Sequence, residues 1–279
     1  MTTRPLPDNG SPPDPRTSDP DSASNSSGRY VYCIVKGSEP VNLGRIGIEG
    51  NEVYTIPYND LCALVHSCPP EPYQSQDQEI VKGWIVTHQK VVDAAWERFG
   101  IVLPMGFDTI IRCNKVSDPE ENMRRWLKED YGNLKAKMDK VRGRAEYGVQ
   151  VFWDSRVMAQ KITEESLEIK KLEEEVKSKP RGLAYMYRQK LENLLKKEME
   201  KQADRYFKEF YERIKQYVDD LRVDKTKKAE DENKLMLMNL SCLLPKGGSK
   251  RLGYELEKID ALEGFSVRFT GPWPPYSFV

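Results

Sequence analysis

Phe265-Ser-Val-Arg-Phe-Thr-Gly-Pro-Trp-Pro-Pro-Tyr-Ser-Phe-Val279 closes the chain and joins two kinds of backbone. Apolar residues alternate over 265–270, the period of a half-buried strand. Pro272, Pro274 and Pro275 then fix φ and remove three backbone donors. The spacing therefore predicts that pairing ends at Thr270 and that a stiff, extended tail follows. Trp273, Tyr276 and Phe278 ride on that tail. Aromatics left in water are a solubility liability, so the tail is expected to lie back on its own domain or on a partner.

The elements upstream explain what this last strand belongs to. A helix is predicted after Lys246-Gly-Gly-Ser249, with Leu252, Leu256, Ile259 and Leu262 facing inward and Gly264 as its stop. Before it, the apolar run 235–244 reads as a buried strand, and 225–233 as a charged loop. Further back lie two long helices. The first spans 157–177, and Pro180 and Gly182 break it from a second over 183–223. Apolar residues of the second helix step by four, four and three from Leu195 through Met199, Ala203, Tyr206, Phe210, Ile214 and Tyr217 to Leu221. An eleven-residue period keeps such a stripe nearly straight. About 40 residues of helix extend roughly 60 Å, so part must project or pair with the preceding helix. With a strand at 146–153, the order is strand, helical hairpin, strand, helix, strand, a ferredoxin-like variant that lacks one strand.

Residues 29–145 form a separate α+β unit in this reading. Strands are expected at 30–35, 52–57 and 60–67, with a short one at 44–48. Ser75 and Gln78 make a capping box for a helix whose stripe is Trp84, His88, Val91 and Ala95, and Gly100 ends it. A strand over 102–111 is interrupted by Pro104 and Gly106. Ser117-Asp-Pro-Glu120 starts one further helix, with Met123, Leu127, Leu134, Met138 and Val141 on its apolar face. Residues 1–28 hold six prolines and a single leucine, too little apolar surface to offset the entropy of ordering. They are expected to be a disordered, dispensable tail. The overall expectation is α+β with two domains, 29–145 and 146–279, the second carrying a helical arm over 156–223.

Lys+Arg and Asp+Glu both number 44, so the net charge is zero over 279 residues. That balance argues against a nucleic-acid-binding protein and against the acidic excess of a protein adapted to saturated salt. No stretch has the length of a transmembrane helix, and the N-terminus lacks the regions of a signal peptide, which predicts a cytosolic protein with no membrane span. Five scattered cysteines are read as reduced and mostly buried.

Chemistry-bearing clusters are sparse. Cys62, His66 and Cys68 share one strand face through their even spacing. Zinc would need a fourth ligand, with Cys33 and Cys113 as candidates, but there is no Cys-x-x-Cys. A Cys–His nucleophile pair lacks an orienting third group at a recognisable spacing. His88 lies on an apolar stripe and reads as a hydrogen-bonded core histidine. Gly247-Gly248-Ser249 precedes a helix without any phosphate-binding fingerprint. No catalytic residue, metal or cofactor is expected, and the protein is not read as an enzyme.

The terminal Thr-Gly-Pro-Trp-Pro-Pro-Tyr-Ser-Phe closely resembles the end of the GvpF/GvpL family of gas vesicle proteins. Gly100-Ile-Val-Leu-Pro-Met-Gly-Phe-Asp-Thr109 and the strand Tyr30-Val-Tyr-Cys-Ile-Val35 add to the resemblance, which spans about 29–279. Gly106 and Asp108 stand where the family carries Arg and Gly, so no role of that arginine transfers. The resemblance implies a two-domain fold with a ferredoxin-like C-terminal domain. It also implies an accessory protein, in the cytoplasm and at the gas vesicle, that binds the shell protein GvpA and other accessory Gvp proteins, limits shell-protein aggregation and assists nucleation. Trp273, Tyr276 and Phe278, with Tyr206 and Phe210 of the helical arm, are the expected partner-binding residues. The competing expectation is a helical scaffold that self-associates through the 183–223 stripe.

Overall fold

The computed structural model describes residues 28–112, 118–229 and 231–279. The expected tail lies outside these residues except for Gly28, which already pairs with Cys68 as the first residue of strand β1 (Gly28–Lys36). β1 is the centre of a six-stranded antiparallel sheet. It pairs with β4 (Leu61–Cys68) on one side and with β5 (Val102–Pro104) and β6 (Ile110–Arg112) on the other. β3 (Val53–Tyr58) and β2 (Asn42–Gly44) extend the sheet beyond β4.

The first eight residues of β1 are all buried because both faces of the sheet are covered. Helix α1 (Gln78–Phe99) packs Val91, Val92 and Ala95 on the face carrying Tyr30, Tyr32 and Val35. Helices α2 (Pro119–Glu129) and α3 (Tyr131–Val141) place Met123, Leu127, Leu134 and Met138 on the face carrying Val31 and Ile34. β1 serves both layers through the alternation of its side chains, and a bulge between Val31 and Cys33 shifts which residues face which layer.

The second sheet is antiparallel with the order β10-β7-β9-β8: β7 (Arg144–Asp154), β8 (Asp220–Val223), β9 (Lys234–Pro245) and β10 (Phe265–Trp273). β7 alternates strictly, with Ala145, Tyr147, Val149, Val151 and Trp153 turned inward. Helices α4 (Ser155–Glu165), α5 (Leu167–Ser178) and α6 (Arg181–Lys215) link β7 to β8, and α7 (Ser249–Asp260) links β9 to β10. Phe210 and Ile214 of α6 and Leu252, Leu256 and Ile259 of α7 close the core over this sheet.

Several expectations need correction. The long helix ends at Lys215, and Asp220–Val223 is a strand paired with β9. The strand missing from the sequence reading was therefore hidden at the end of the helix, and the βαββαβ order is complete. Four residues are too short to reveal a period of two, and Leu221 also fits the helical stripe. The helix expected to end at Val141 is two, joined at Asp130, and the one over 157–177 is also two, with the Ser166 hydroxyl capping the second through Ile169 N–H. Asp77, not Ser75, caps α1 by accepting from Glu79 N–H at 2.9 Å. The strand over 102–111 is two short ones on the same edge of β1. Leu262 lies beyond the end of α7 and is 39% exposed. β10 continues past its bulge, through the cis Gly271–Pro272 bond, to pair Trp273 with Glu146.

The two sheets share buried surface. Leu243 of β9 and Phe278 belong to the same apolar cluster as Leu134 and Met138 of α3. Lys246 lies 4.2 Å from the Trp96 ring centroid, and Lys140 of α3 pairs with Asp220 of β8 at 2.7 Å.

Candidate partner-binding surfaces

The C-terminal tail crosses from one sheet to the other. After Trp273 the chain leaves β10 and forms a single 3-10 turn at Tyr276–Phe278. Ser277 anchors it to the face of the second sheet away from its helices. Its N–H and hydroxyl each donate to one oxygen of Glu146 at 2.7 Å, and the hydroxyl also meets Ser241 Oγ at 3.0 Å. Phe278 is 2% exposed, with the Lys140 ammonium 5.4 Å and the Arg222 guanidinium 5.5 Å from its ring centroid. Tyr276 packs on the cluster of Tyr30, Cys33 and Val102, and burial pushes its hydroxyl pKa up.

The five residues singled out from sequence thus part company. Phe278 and Phe210 are core, and Tyr206 leans on Phe210 and on Phe265 at 5.6 and 4.8 Å between ring centroids. Tyr276 is half-buried against the first sheet rather than held within the second. Trp273 is 46% exposed on the edge strand and is the one tail aromatic open to a partner. Sequence reading missed Glu146 and Ser277, and no local pattern could link two residues 131 positions apart.

Both histidines sit in one buried network. The Tyr30 hydroxyl accepts from Asp108 N–H at 3.0 Å and meets His88 Nδ1 at 2.8 Å, while His88 Nε2 lies 3.1 Å from the Met105 carbonyl. A carbonyl only accepts, so Nε2 carries the proton and Nδ1 accepts from Tyr30. Tyr32 repeats the pattern: its hydroxyl accepts from Ile48 N–H at 2.9 Å and meets His66 Nδ1 at 2.8 Å, with Tyr73 Oη 3.0 Å from Nε2. Burial lowers both histidine pKa values to about 4, so both are neutral at pH 7. Both nitrogens of His66 are occupied by tyrosines, and among the described residues no group of three or more His, Cys, Asp or Glu is arranged to hold a metal ion. Burial also pushes the Cys62 and Cys68 thiols up to about 11, so neither is poised as a nucleophile. Cys113 lies outside the described residues.

Apolar side chains remain in water on the helical arm. Leu183, Tyr185 and Met186, in the first turns of α6, are 50–60% exposed, and Leu167 at the start of α5 is 75% exposed. Nearer the sheet, Leu195, Met199 and Ala203 of α6 face Trp153 and the exposed Leu235 across a hollow of about 400 Å³. No helix among the described residues is long and apolar enough to cross a membrane.

This α+β fold is similar to that of a solved gas vesicle protein. It superposes on the crystal structure of the gas vesicle protein GvpF from Anabaena sp. PCC7120 with a TM-score of 0.72 at 22% identity, covering 91% of this chain and 98% of that one. The sequence is 31% identical over 275 residues to gas vesicle protein L1 of Halobacterium salinarum, covering 96% of each chain, and 26% identical over 294 residues to gas vesicle protein L of Haloferax mediterranei, covering 93% of this chain and 89% of that one. The family model described as "Gas vesicle synthesis protein GvpL/GvpF" matches residues 28–279, and the chain belongs to that family.

Proposed function

We propose that the protein is an accessory component of gas vesicle formation that binds the shell protein GvpA, and with it other accessory Gvp proteins, in the cytoplasm and at the growing vesicle. It holds the shell protein back from aggregation and assists its nucleation. The observation that carries this reading is the tip of the helical arm. Leu183, Tyr185 and Met186 keep half or more of their surface in water, on a chain of balanced charge. Such a surface suits an apolar client while the charged faces of α5 and α6 keep the complex dispersed. Trp273 on the edge strand is the second contact we assign. The division of labour follows two domains, 29–145 and a ferredoxin-like 146–279, with the arm as the reaching element.

The test is suppression of GvpA aggregation, followed by light scattering, together with co-purification in mild salt. Replacing Leu183, Tyr185 and Met186 by serine removes exposed surface only, so the variant keeps its melting temperature. It should lose most of the suppression. Full suppression by the folded triple variant would refute the assignment of the arm. Suppression that tracks only the self-association of this chain would favour the scaffold reading instead.

A further inference from the structure

Positive charge is segregated at the tip of the arm. Over 176–191 the chain carries Lys177, Lys179, Arg181, Arg188 and Lys190, with no aspartate or glutamate among them. All these cations are exposed. Glu173, Glu174 and Glu175 lie further back on α5. Among the described residues no carboxylate forms an ion pair with any cation of the tip. Beyond Leu191 the two signs mix again, where Glu192, Glu198, Glu200 and Asp204 interleave with Lys196, Lys197 and Lys201.

The exposed apolar side chains of the tip lie among these cations. Spacings of three and four put Leu183, Met186, Tyr187 and Lys190 on one flank of α6. Lys179 and Lys190 both stand over the Tyr187 ring, 5.9 and 5.4 Å from its centroid. Tyr185 lies on the other flank, four residues after Arg181 and three before Arg188, and its hydroxyl accepts from Gln189 Nε2 at 2.9 Å. Whichever flank a partner covers, the charge beside its apolar contact is positive. The arrangement does not serve the helix itself. Arg181 stands in the first turn of α6, where the macrodipole favours a carboxylate, and that turn holds no acidic residue. Lys177, Lys179 and Arg181 also crowd like charge into one turn of chain.

We propose that the arm tip selects, by charge, a segment of a partner polypeptide whose apolar residues are flanked by carboxylates. This rests on the reading of the tip as the shell-protein contact and adds the chemistry of the segment that it grips. Charge complementarity picks the occupant. A purely apolar segment would cover Leu183 and Met186 while taking cations out of water without a counter-charge, and a basic segment would be repelled. An anionic membrane fits less well. A helix lying on lipid presents one continuous apolar stripe, whereas Leu183 and Met186 occupy one flank, Tyr185 the other, and carboxylates resume at Glu192. Attraction between the tip and an acidic segment also speeds encounter, an effect that salt screens.

The experiment follows association of GvpA with the immobilised full-length chain at low and high salt. The variant replaces Lys177, Lys179, Arg181, Arg188 and Lys190 by glutamine and keeps every apolar side chain. These positions are exposed, so its melting temperature stays in place. For the wild type the association rate should fall by about tenfold between ~50 and ~500 mM salt. The glutamine variant should associate about tenfold more slowly at low salt and lose most of the salt dependence. A peptide of leucines flanked by glutamates should compete with GvpA, and its counterpart with lysines should not. Unchanged salt dependence in the folded glutamine variant, or equal competition by the two peptides, overturns the proposal. The shell-protein reading survives that failure if the serine variant of Leu183, Tyr185 and Met186 still loses suppression of aggregation. Full suppression by the serine variant removes the arm assignment and this proposal with it. Retention of the wild type on phosphatidylglycerol vesicles at physiological salt, lost in a glutamine variant that still binds GvpA normally, would assign the cations to a membrane surface and likewise overturn it.

Discussion

Ser277 occupies both oxygens of Glu146: its backbone N–H donates to Oε2 and its hydroxyl to Oε1, each at 2.7 Å. Glu146 lies at the start of β7 and also pairs, through its backbone, with Trp273 of β10. One residue thus sets both where the last strand ends and where the tail turns back. The tail is consequently a clamp between the sheets, with Ser277 on the second and Phe278 in a cluster shared with the first.

A double-mutant cycle of Glu146→Ala and Ser277→Ala should return a coupling of about 1–2 kcal/mol, in the range of charge-assisted hydrogen bonds at a half-buried site. Urea unfolding of the four proteins measures it. A coupling indistinguishable from zero would mean that the tail is held by its aromatics alone.

Phe278→Ala should destabilise the chain by about 3–5 kcal/mol, because a ring that is 2% exposed leaves a cavity between α3 and the second sheet. Trp273→Ala, at 46% exposure, should cost within about 1 kcal/mol. The two values, compared in one set of denaturation curves, separate the clamp from the exposed contact. Similar losses for both would contradict the packing described.

Gly271 has φ +115°, and a Cβ there would stand 2.8 Å from the Glu146 carbonyl oxygen. Backbone cannot yield as a flexible side chain does, so Gly271→Ala should cost about 2–3 kcal/mol and loosen the tail. Gly143, at φ +69° with nothing within 4 Å, provides the control: its alanine variant should cost only about 1 kcal/mol. Limited proteolysis at the C-terminus reports the loosening.

Acid should weaken the first sheet before it affects anything that depends on carboxylates alone. His66 and His88 have pKa values lowered by burial from 6.5 to about 4. Below pH 6.5 the unfolded chain takes up protons that the folded chain refuses until about pH 4. Stability contributed by these groups is therefore full above pH 6.5 and is lost across that window, by at most roughly 3 kcal/mol per histidine. Glu255, whose carboxyl is raised by burial but held below its ordinary value by Arg213 and Lys258, adds a loss of the same sign at lower pH. Stability measured at pH 7, 5.5 and 4.5 should fall steadily. His66→Asn and His88→Asn should start lower at pH 7 and show a flatter slope, whereas an unchanged slope would remove the histidines as the cause.

Much of the secondary structure was legible because single elements carry their own period. β7 alternates over eleven residues, α7 shows an apolar stripe, and Gly100 takes the positive φ that ends α1, whereas α7 stops at Asp260, four residues before the expected Gly264. The terminal motif likewise identified the family without any geometry, since a run of three prolines and three aromatics is rare in composition. Neutral net charge, sparse histidine and scattered cysteine were compositional facts as well.

Tertiary structure alone decided the rest. Asp220–Val223 became a strand because β9 offered an open edge, and that edge outweighs the helical fit of Leu221 over so short a stretch. His66 and His88 became neutral members of a tyrosine network because α1 closes over β1 and β4, a contact between residues up to 58 positions apart. The aromatic tail revealed its stickiness in the sequence but not its destination. Burying Phe278 and exposing Trp273, five residues apart, depends on where Glu146 stands in the folded sheet, and pairings of such long separation leave no local period to read.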